Sequence, residues 1–591
     1  MARLAYWSVL SFHVLLCMSL TDWIVLAITL SAIVAYGVYK SRGIKSIDGY
    51  LLGNRELPWY HIGFSVMATQ ASAITFLSAP GLAYTSGMSF VQFYFGLPLA
   101  MIVLSITFVP IFHKLRVFTA YEFLEKRFDV RTRAFTAFLF LVQRGVSTGI
   151  TIYAPAIILS SILQINVVYM TVLIGTVVVL YTMYGGTKAV SYTQLLQMSI
   201  IFGGLLAAGI MVIYMLPQEI GLGKALHIAG KSGKTNAIDL SFDWNNPYTL
   251  WSGIIGGFFL QLSYFGTDQS QVGRYLTGAS IRDSRIGLLM NGLLKVPMQF
   301  CILLIGILVF AFYQYNTPPL FFNKYELQKI ESSTYKLQVD SLRSSHNELF
   351  EQKKLAIDQL SIALDQEDEA TIDRVREQLG EADRKAKIIR TELVGIMQEN
   401  DPKAETNDNN YIFLSFVTDH FPKGLIGLLI AIVLMASMGA TASAINSLAS
   451  TTSIDIYKRF VHKTNTQKGY LNASRLFTLI WGVFCIGVAL FASRLGNLLE
   501  AVNILGSLFY GTILGIFVVA FYLKKVGGKA VLWGAILTEI IVVYLWKMDV
   551  MAFLWLNLVG CAGVMLFSLV FERLGVRSKP KARLSEESIN T

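Results

Sequence analysis

The sequence predicts an all-α polytopic membrane protein, and three observations carry that prediction. Charged residues make up only 15% of the 591-residue chain and hydrophobic residues 54%, where a soluble domain carries roughly 25% charged residues. Mean hydropathy is +0.54. Apolar runs of about 20 residues, long enough for a helix to cross a bilayer, recur along the whole chain. The net charge of +11 does not point to nucleic acid, because the basic residues gather in short loops, where they orient a protein in the membrane. Cys17, Cys301, Cys485 and Cys561 all lie in apolar runs. They have neither metal-ligand spacing nor the pattern of a disulfide framework.

Taken in order, residues 1–17 form a signal-like or start-site extension ahead of Met18-Ser19-Leu20-Thr21-Asp22-Trp23. Thirteen membrane spans are expected, at 22–40, 58–84, 88–112, 133–162, 166–184, 190–216, 248–276, 284–315, 423–450, 470–494, 499–524, 528–547 and 550–573. They divide into a first membrane part, 18–315 with spans 1–8, and a second, 411–575 with spans 9–13, followed by a tail, 576–591. Basic residues follow the odd-numbered spans: Lys40, Arg42 and Lys45; the segment His113 to Arg133; Lys188; Arg274, Arg282 and Arg285; Lys458, Arg459, Lys463 and Lys468; Lys524, Lys525 and Lys529; and Arg573 onward. That alternation places the amino terminus outside and the carboxy terminus in the cytoplasm of a plasma-membrane protein.

Span 2 departs from a plain anchor. The stretch Leu57–Tyr84 is uncharged, yet its middle, Ala68-Thr69-Gln70-Ala71-Ser72-Ala73, is small and polar. Such residues suit a tight helix–helix seam, or a local break whose freed carbonyls face a cavity. Span 9, with Ser437, Thr441, Ser443, Asn446, Ser447, Ser450 and Thr451 beside Gly439, Ala440 and Ala442, has the same character. Its hydroxyl and amide oxygens suit a hard cation, although Ser and Thr in membrane helices also bond the carbonyl one turn back.

Residues 316–410 are an insertion of another kind. Ile372, Val375, Leu379, Ala382, Ala386, Ile389, Leu393 and Ile396 form an a/d seam. Leu337, Leu342, Leu349, Ala356, Leu360 and Ala363 are expected to pair with it across a turn at Asp365–Glu369. This predicts an extracytoplasmic helical hairpin, acting as a rigid ornament, an oligomer contact or a dock for an extracytoplasmic partner.

Three charges fall at membrane depth: Arg144, Asp268 and Lys295. Each costs about 2.5–3.5 kcal/mol to insert, which makes it a candidate for function. Asp268 can pair with Arg144 or Lys295. Alternatively the cations attract an anionic solute while Asp268 binds a cation or a proton. No nucleophile motif, metal cluster or phosphate loop is present in the sequence, so neither an enzyme nor ATP-driven transport is expected, and no cofactor.

Three segments resemble the sodium/solute symporter family, and the likeness runs over nearly all of residues 19–575. They are Tyr181-Thr182-Met183-Tyr184-Gly185-Gly186-Thr187-Lys188-Ala189-Val190 with Thr193 and Gln197; Ser263-Tyr264-Phe265-Gly266-Thr267-Asp268-Gln269 with Val272 and Arg274-Tyr275; and Ala444-Ile445-Asn446-Ser447 with Asp455-Ile456-Tyr457-Lys458. Gln70-Ala71-Ser72-Ala73 and Ile152-Tyr153-Ala154-Pro155-Ala156 are most similar to the subgroup moving small anions, carboxylates and vitamins.

The resemblance implies a five-plus-five inverted repeat of the LeuT type, spans 2–6 against spans 7–11, with solute at the midplane beside the broken spans 2 and 7. It implies sodium bound by the backbone at Ala68 and Ala71 and by span 9 at Ala436, Gly439 and Ala440, with Thr441 and Ser443 as substitute ligands. Solute contacts are expected from Gln70, Thr75, Tyr94, Arg144, Asp268, Gln269 and Lys295. Family members usually carry Ser or Thr at the positions of Gly439 and Ala440, and Asp at that of Gln194; sugar-moving members carry Gln and Glu at those of Thr75 and Tyr94. The expected function is import of a small anionic organic solute with sodium by alternating access. A proton-coupled or uncoupled version of the same fold, and a transporter-like solute sensor, are the alternatives.

Overall fold

The computed structural model describes residues 18–41, 47–163, 165–217, 221–402, 404–461, 466–492 and 497–576. The expected extension 1–17 and the tail from 577 lie outside them. Regular structure among the described residues is helical, apart from one isolated parallel bridge between Leu57 and Gly278. Backbone groups in hydrocarbon need partners within their own segment, which is why apolar runs of this length become helices.

The helices that place the site are α1 (Leu20–Ser41), α2 (Trp59–Gln70), α3 (Ala73–Ser86), α4 (Ala120–Arg127), α5 (Val130–Leu163), α6 (Val167–Met215), α7 (Gly257–Thr267), α8 (Gln269–Tyr275) and α9 (Ile281–Tyr315). After the insertion come α10 (Lys336–Asp365), α11 (Glu369–Asn400), α12 (Ile412–His420), α13 (Leu425–Thr451), α14 (Gln467–Ala489), α15 (Leu498–Tyr522), α16 (Gly528–Lys547) and α17 (Phe553–Arg573). Helix α13 is the most enclosed of the candidate membrane spans, packing against α1, α2, α3, α5, α6, α8 and α14. Its Gly, Ala and Ser residues allow that close approach.

Among the described residues ten helices are long and apolar enough to cross a membrane, eleven counting α2 and α3 as one bent span. Two of the thirteen expected spans are not counted separately among these, for different reasons. Span 5 is not counted apart from span 6, because both lie in the single helix α6, with the apolar stretch Val167–Leu180 leading towards Val190–Met215. Span 7 is interrupted at Asp268, so α7 and α8 are each too short alone.

Both interruptions have a local cause. Between α2 and α3 the chain bends by 59°. The Ser72 N–H donates to Gln70 O at 3.0 Å, so Ala68 O does not receive the donor that a continuous helix would give it. Asp268 takes extended backbone angles, φ −76° and ψ 119°, and caps α8 by accepting from the Ser270 N–H at 2.8 Å. Asp is a favoured N-cap because its side chain can satisfy an orphan amide of the first turn.

The insertion folds as two long helices packed on each other. Ile357, Leu360 and Ala363 of α10 meet Ile372, Val375 and Leu379 of α11, and Val339 and Leu342 meet Leu393, Ile396 and Met397. Leu337, expected in the seam, is 83% exposed, and Val339 takes its place. Asp368 caps α11, accepting from the Thr371 N–H at 3.2 Å.

The segment leaving α11 is fastened to the membrane part. Asn410 accepts from Ser78 Oγ of α3 at 2.8 Å, and Asp408 pairs with Arg390 of α11. A Cβ added to Gly81 would lie 2.0 Å from Asn409 O, so only glycine permits this approach of the segment to α3. Glu405 accepts from Tyr411 Oη at 2.7 Å and from Tyr153 Oη of α5 at 3.2 Å. Burial pushes its carboxyl up to about 7, against the two tyrosine hydroxyls, which lower it; neighbouring Glu326 raises it further.

The folded protein therefore holds a proton that an unfolded Glu releases near 4.5. This contribution to stability is complete below the unfolded value and is lost as pH rises through 7. The melting temperature of purified protein should fall between about pH 5 and pH 8, and Glu405→Gln should flatten that slope. An unchanged slope in the variant would assign the pH dependence to other groups.

Candidate functional site

A cavity opens at the level of the two breaks. Thr69, Gln70, Ser72 and Thr75 line it from the first break, and Arg144, Ser147 and Thr151 from α5. Leu260 and Tyr264 of α7, Ala440 and Ala444 of α13, and Asn503, Gly506 and Tyr510 of α15 complete the wall with Phe93 and Tyr94. It encloses about 760 Å³ of atom-free space, open mouth included. Its wall is mixed in character, as expected where a few polar groups must orient a solute among apolar surfaces.

Of the solute residues expected from sequence, Gln70, Thr75, Tyr94 and Arg144 line this cavity; Asp268, Gln269 and Lys295 do not. The reason differs for each. Asp268 stands behind Arg144 and forms an ion pair with it. Its carboxylate also accepts from Ser270 N at 2.8 Å, Ser270 Oγ at 2.6 Å and Tyr510 Oη at 2.9 Å. A carboxylate has about four lone-pair sites, so Asp268 is saturated by the protein and holds the second break to α5 and α15. Arg144 additionally donates to Ser270 Oγ at 2.7 Å and lies 5.3 Å from the Tyr264 ring centroid. Its Nε has no hydrogen-bond partner.

Gln269 faces the opposite way. Its Oε1 accepts from the Ala120 N–H and its Nε2 donates to Phe118 O, both at 3.0 Å. It thus ties the second break to α4 rather than to a solute. Lys295 lies behind the cavity wall, its ammonium 5.9 Å from the Tyr94 ring centroid. It is fully buried, and Nζ has no hydrogen-bond partner. Asn291 and Gln299, one turn before and after it on α9, also carry unsatisfied side-chain atoms.

The residues expected to hold a cation are gathered where α2, α13 and α6 meet. Ala68, Ala71, Ala436, Ala440, Thr441 and Ser443 are buried there, with Gly439 between them. Thr441 Oγ1 has no hydrogen-bond partner. Ser443 is already engaged: its hydroxyl oxygen accepts from Gln194 Nε2 at 3.1 Å. The same nitrogen donates to Thr69 Oγ1 at 3.1 Å and Gly439 O at 3.4 Å, while Gln194 Oε1 accepts from Ser65 Oγ at 2.6 Å. The amide nitrogen therefore sits inside an oxygen cluster and supplies the positive end of a dipole there. Ser443 is correspondingly a partner of Gln194 rather than a free oxygen.

Sequence reasoning missed Ser147, Thr151, Asn503 and Tyr510 as lining residues. Asn503 and Tyr510 are seven residues apart, which puts them on one face of α15. That polar pair on one face of a largely apolar span was the available signal.

Comparison with known proteins adds three findings. The model described as "Sodium:solute symporter family" matches residues 50–320 and 390–538. The sodium/sialic acid symporter NanT of Aliivibrio fischeri is 25% identical over 92% of this chain and 91% of its own length. Sodium-coupled monocarboxylate transporter 1 of Xenopus laevis is 25% identical over 84% and 67%, and the human sodium/iodide cotransporter 31% over 46% and 42%. Among solved structures, a substrate-bound, outward-open Na+-coupled sialic acid symporter matches with a TM-score of 0.73 at 22% identity, over 95% of this chain and 99% of that one. At that identity the likeness speaks for the fold.

Proposed function

Since the chain belongs to the sodium:solute symporter family, and is a multi-pass, sodium-coupled transporter rather than an enzyme, we propose that it imports a small organic anion together with sodium by alternating access. The observation that carries the solute's charge is the balance around the cavity. Arg144 is matched by Asp268, whereas Lys295, behind Tyr94, has no counter-charge among the described residues. An uncompensated ammonium in a membrane bundle is costly, and an anionic solute is the missing partner. Sialic acid, monocarboxylates and iodide, named for the relatives, share that charge.

Sodium is assigned to the meeting point of α2 and α13, where Ala68 O has lost its helical donor. The two broken spans would act as the first helices of two inverted repeats, as in other transporters whose half-helices meet at the midplane. The saturated carboxylate of Asp268 weighs against a proton-coupled reading. The loop charges put the amino terminus and the α10–α11 hairpin outside the cell.

The test is thermal stabilisation of the purified protein by a panel of solutes: sialic acid, short monocarboxylates, iodide and biotin, against neutral sugars. Each is measured in sodium and in potassium at equal ionic strength. A ligand of the folded state raises the melting temperature by mass action. At least one anion should stabilise in sodium and not in potassium. Stabilisation by a neutral sugar alone would overturn the reading.

A further inference from the structure

We propose that the side-chain carbonyl of Gln197 is a ligand of the coupling ion and replaces the side-chain oxygen that position 439 lacks. The inference rests on the sodium reading above.

Gln197 is 4% exposed, and its Oε1 has no hydrogen-bond partner. A Cβ added to Gly439 would lie 2.5 Å from that oxygen. The Gln197 oxygen thus fills the space that a side chain at 439 would enter, and a larger residue there would displace it. The nearest amide donor is committed elsewhere: Gln194 Nε2 points at Thr69, Ser443 and Gly439 O. A buried carbonyl without a donor is an expensive arrangement, and each such group calls for an explanation. Here the neighbourhood supplies one. Ala68 O, also without its helical donor, comes from the facing helix α2, and α2 and α13 pack together. Acceptors lacking donors are satisfied by a cation, and neutral oxygens from carbonyls and amides are ligands for a hard one. The glycine at 439 and the amide at 197 are then two halves of one substitution: a short hydroxyl on α13 exchanged for a longer carbonyl reaching over from α6.

The experiment titrates sodium against potassium, at constant ionic strength, and reads the melting temperature of full-length protein in detergent. The wild type should show a sodium-specific rise. In Gln197→Leu the sodium concentration giving half of that rise should increase about tenfold or more, while the melting temperature in potassium is unchanged or higher. Gln197→Glu retains an oxygen and adds charge, so it should respond to less sodium than wild type; it also serves if the leucine variant does not fold. The double variant Gly439→Ser/Gln197→Ala should recover part of the response, because serine then has both the space and the hydroxyl.

Wild-type sodium dependence in both Gln197→Leu and Gln197→Glu would overturn the proposal alone. So would loss of the response in Thr441→Val with none in Gln197→Leu, since Thr441 would then be the substitute ligand. A wild type that does not respond to sodium would overturn the sodium reading and this proposal together.

Discussion

Arg144→Met should yield a protein that is poorly stable and unable to transport. The substitution leaves the Asp268 carboxylate at membrane depth with only Ser270 and Tyr510 as donors. Breaking a buried pair by removing one partner typically costs about 3–5 kcal/mol, because the remaining charge stays desolvated. The double variant Arg144→Met/Asp268→Asn removes both charges and keeps an oxygen for Ser270, while the new amide nitrogen can donate to Tyr510 Oη. It should recover most of the stability. It should not recover uptake, because Arg144 lines the cavity. Melting temperature and sodium-driven uptake of the stabilising anion, measured side by side, separate the two roles. If the single variant melts like wild type, the Arg144–Asp268 pair does not hold the second break in place. If the double variant transports normally, Arg144 has no part in the solute path.

How far the sequence led depends on whether a feature is local. The break of span 2 was legible as one of two readings of Ala68–Ala73, because small polar residues in an apolar run are a local anomaly. Asp268 was legible as an expensive charge, and pairing with Arg144 was among its weighed options. Its role as the N-cap of α8 is not legible locally, and the break of span 7 follows only from the family resemblance. The hairpin seam followed from its heptads except at Leu337, where the first turn of α10 turns Val339 inward. What periodicity cannot supply is the neighbour across a gap. Nothing local to Gly439 reveals that Gln197 fills its missing side chain. Nothing local to Gln269 reveals that its amide is used up on the backbone of Phe118 and Ala120. Such pairings join residues more than a hundred positions apart and are properties of the packed bundle.

Lys295→Met should raise stability and abolish anion transport, a combination that a merely structural lysine cannot produce. The ammonium is fully enclosed and lacks an acceptor. Methionine has a similar length without the charge, so the substitution removes a desolvation penalty and keeps the packing against Tyr94. Even a buried ion pair is often replaced by apolar residues of like volume with a gain of about 1–4 kcal/mol, and a lone buried charge lacks the compensation of a pair. Such a penalty persists in functional sites because the solute, when present, relieves it. The variant should therefore melt higher than wild type without solute, and should lose the further rise that the anion causes in sodium. Lys295→Arg preserves the charge and should retain part of that rise. A methionine variant that melts lower than wild type would mean that Lys295 supports the packing of α9. A variant that keeps the full anion response would remove the buried, unpaired Lys295 from solute recognition. Selectivity would then have to come from Arg144 and the dipoles of Tyr94, Tyr264 and Tyr510, which favour a polar solute without requiring that it be charged.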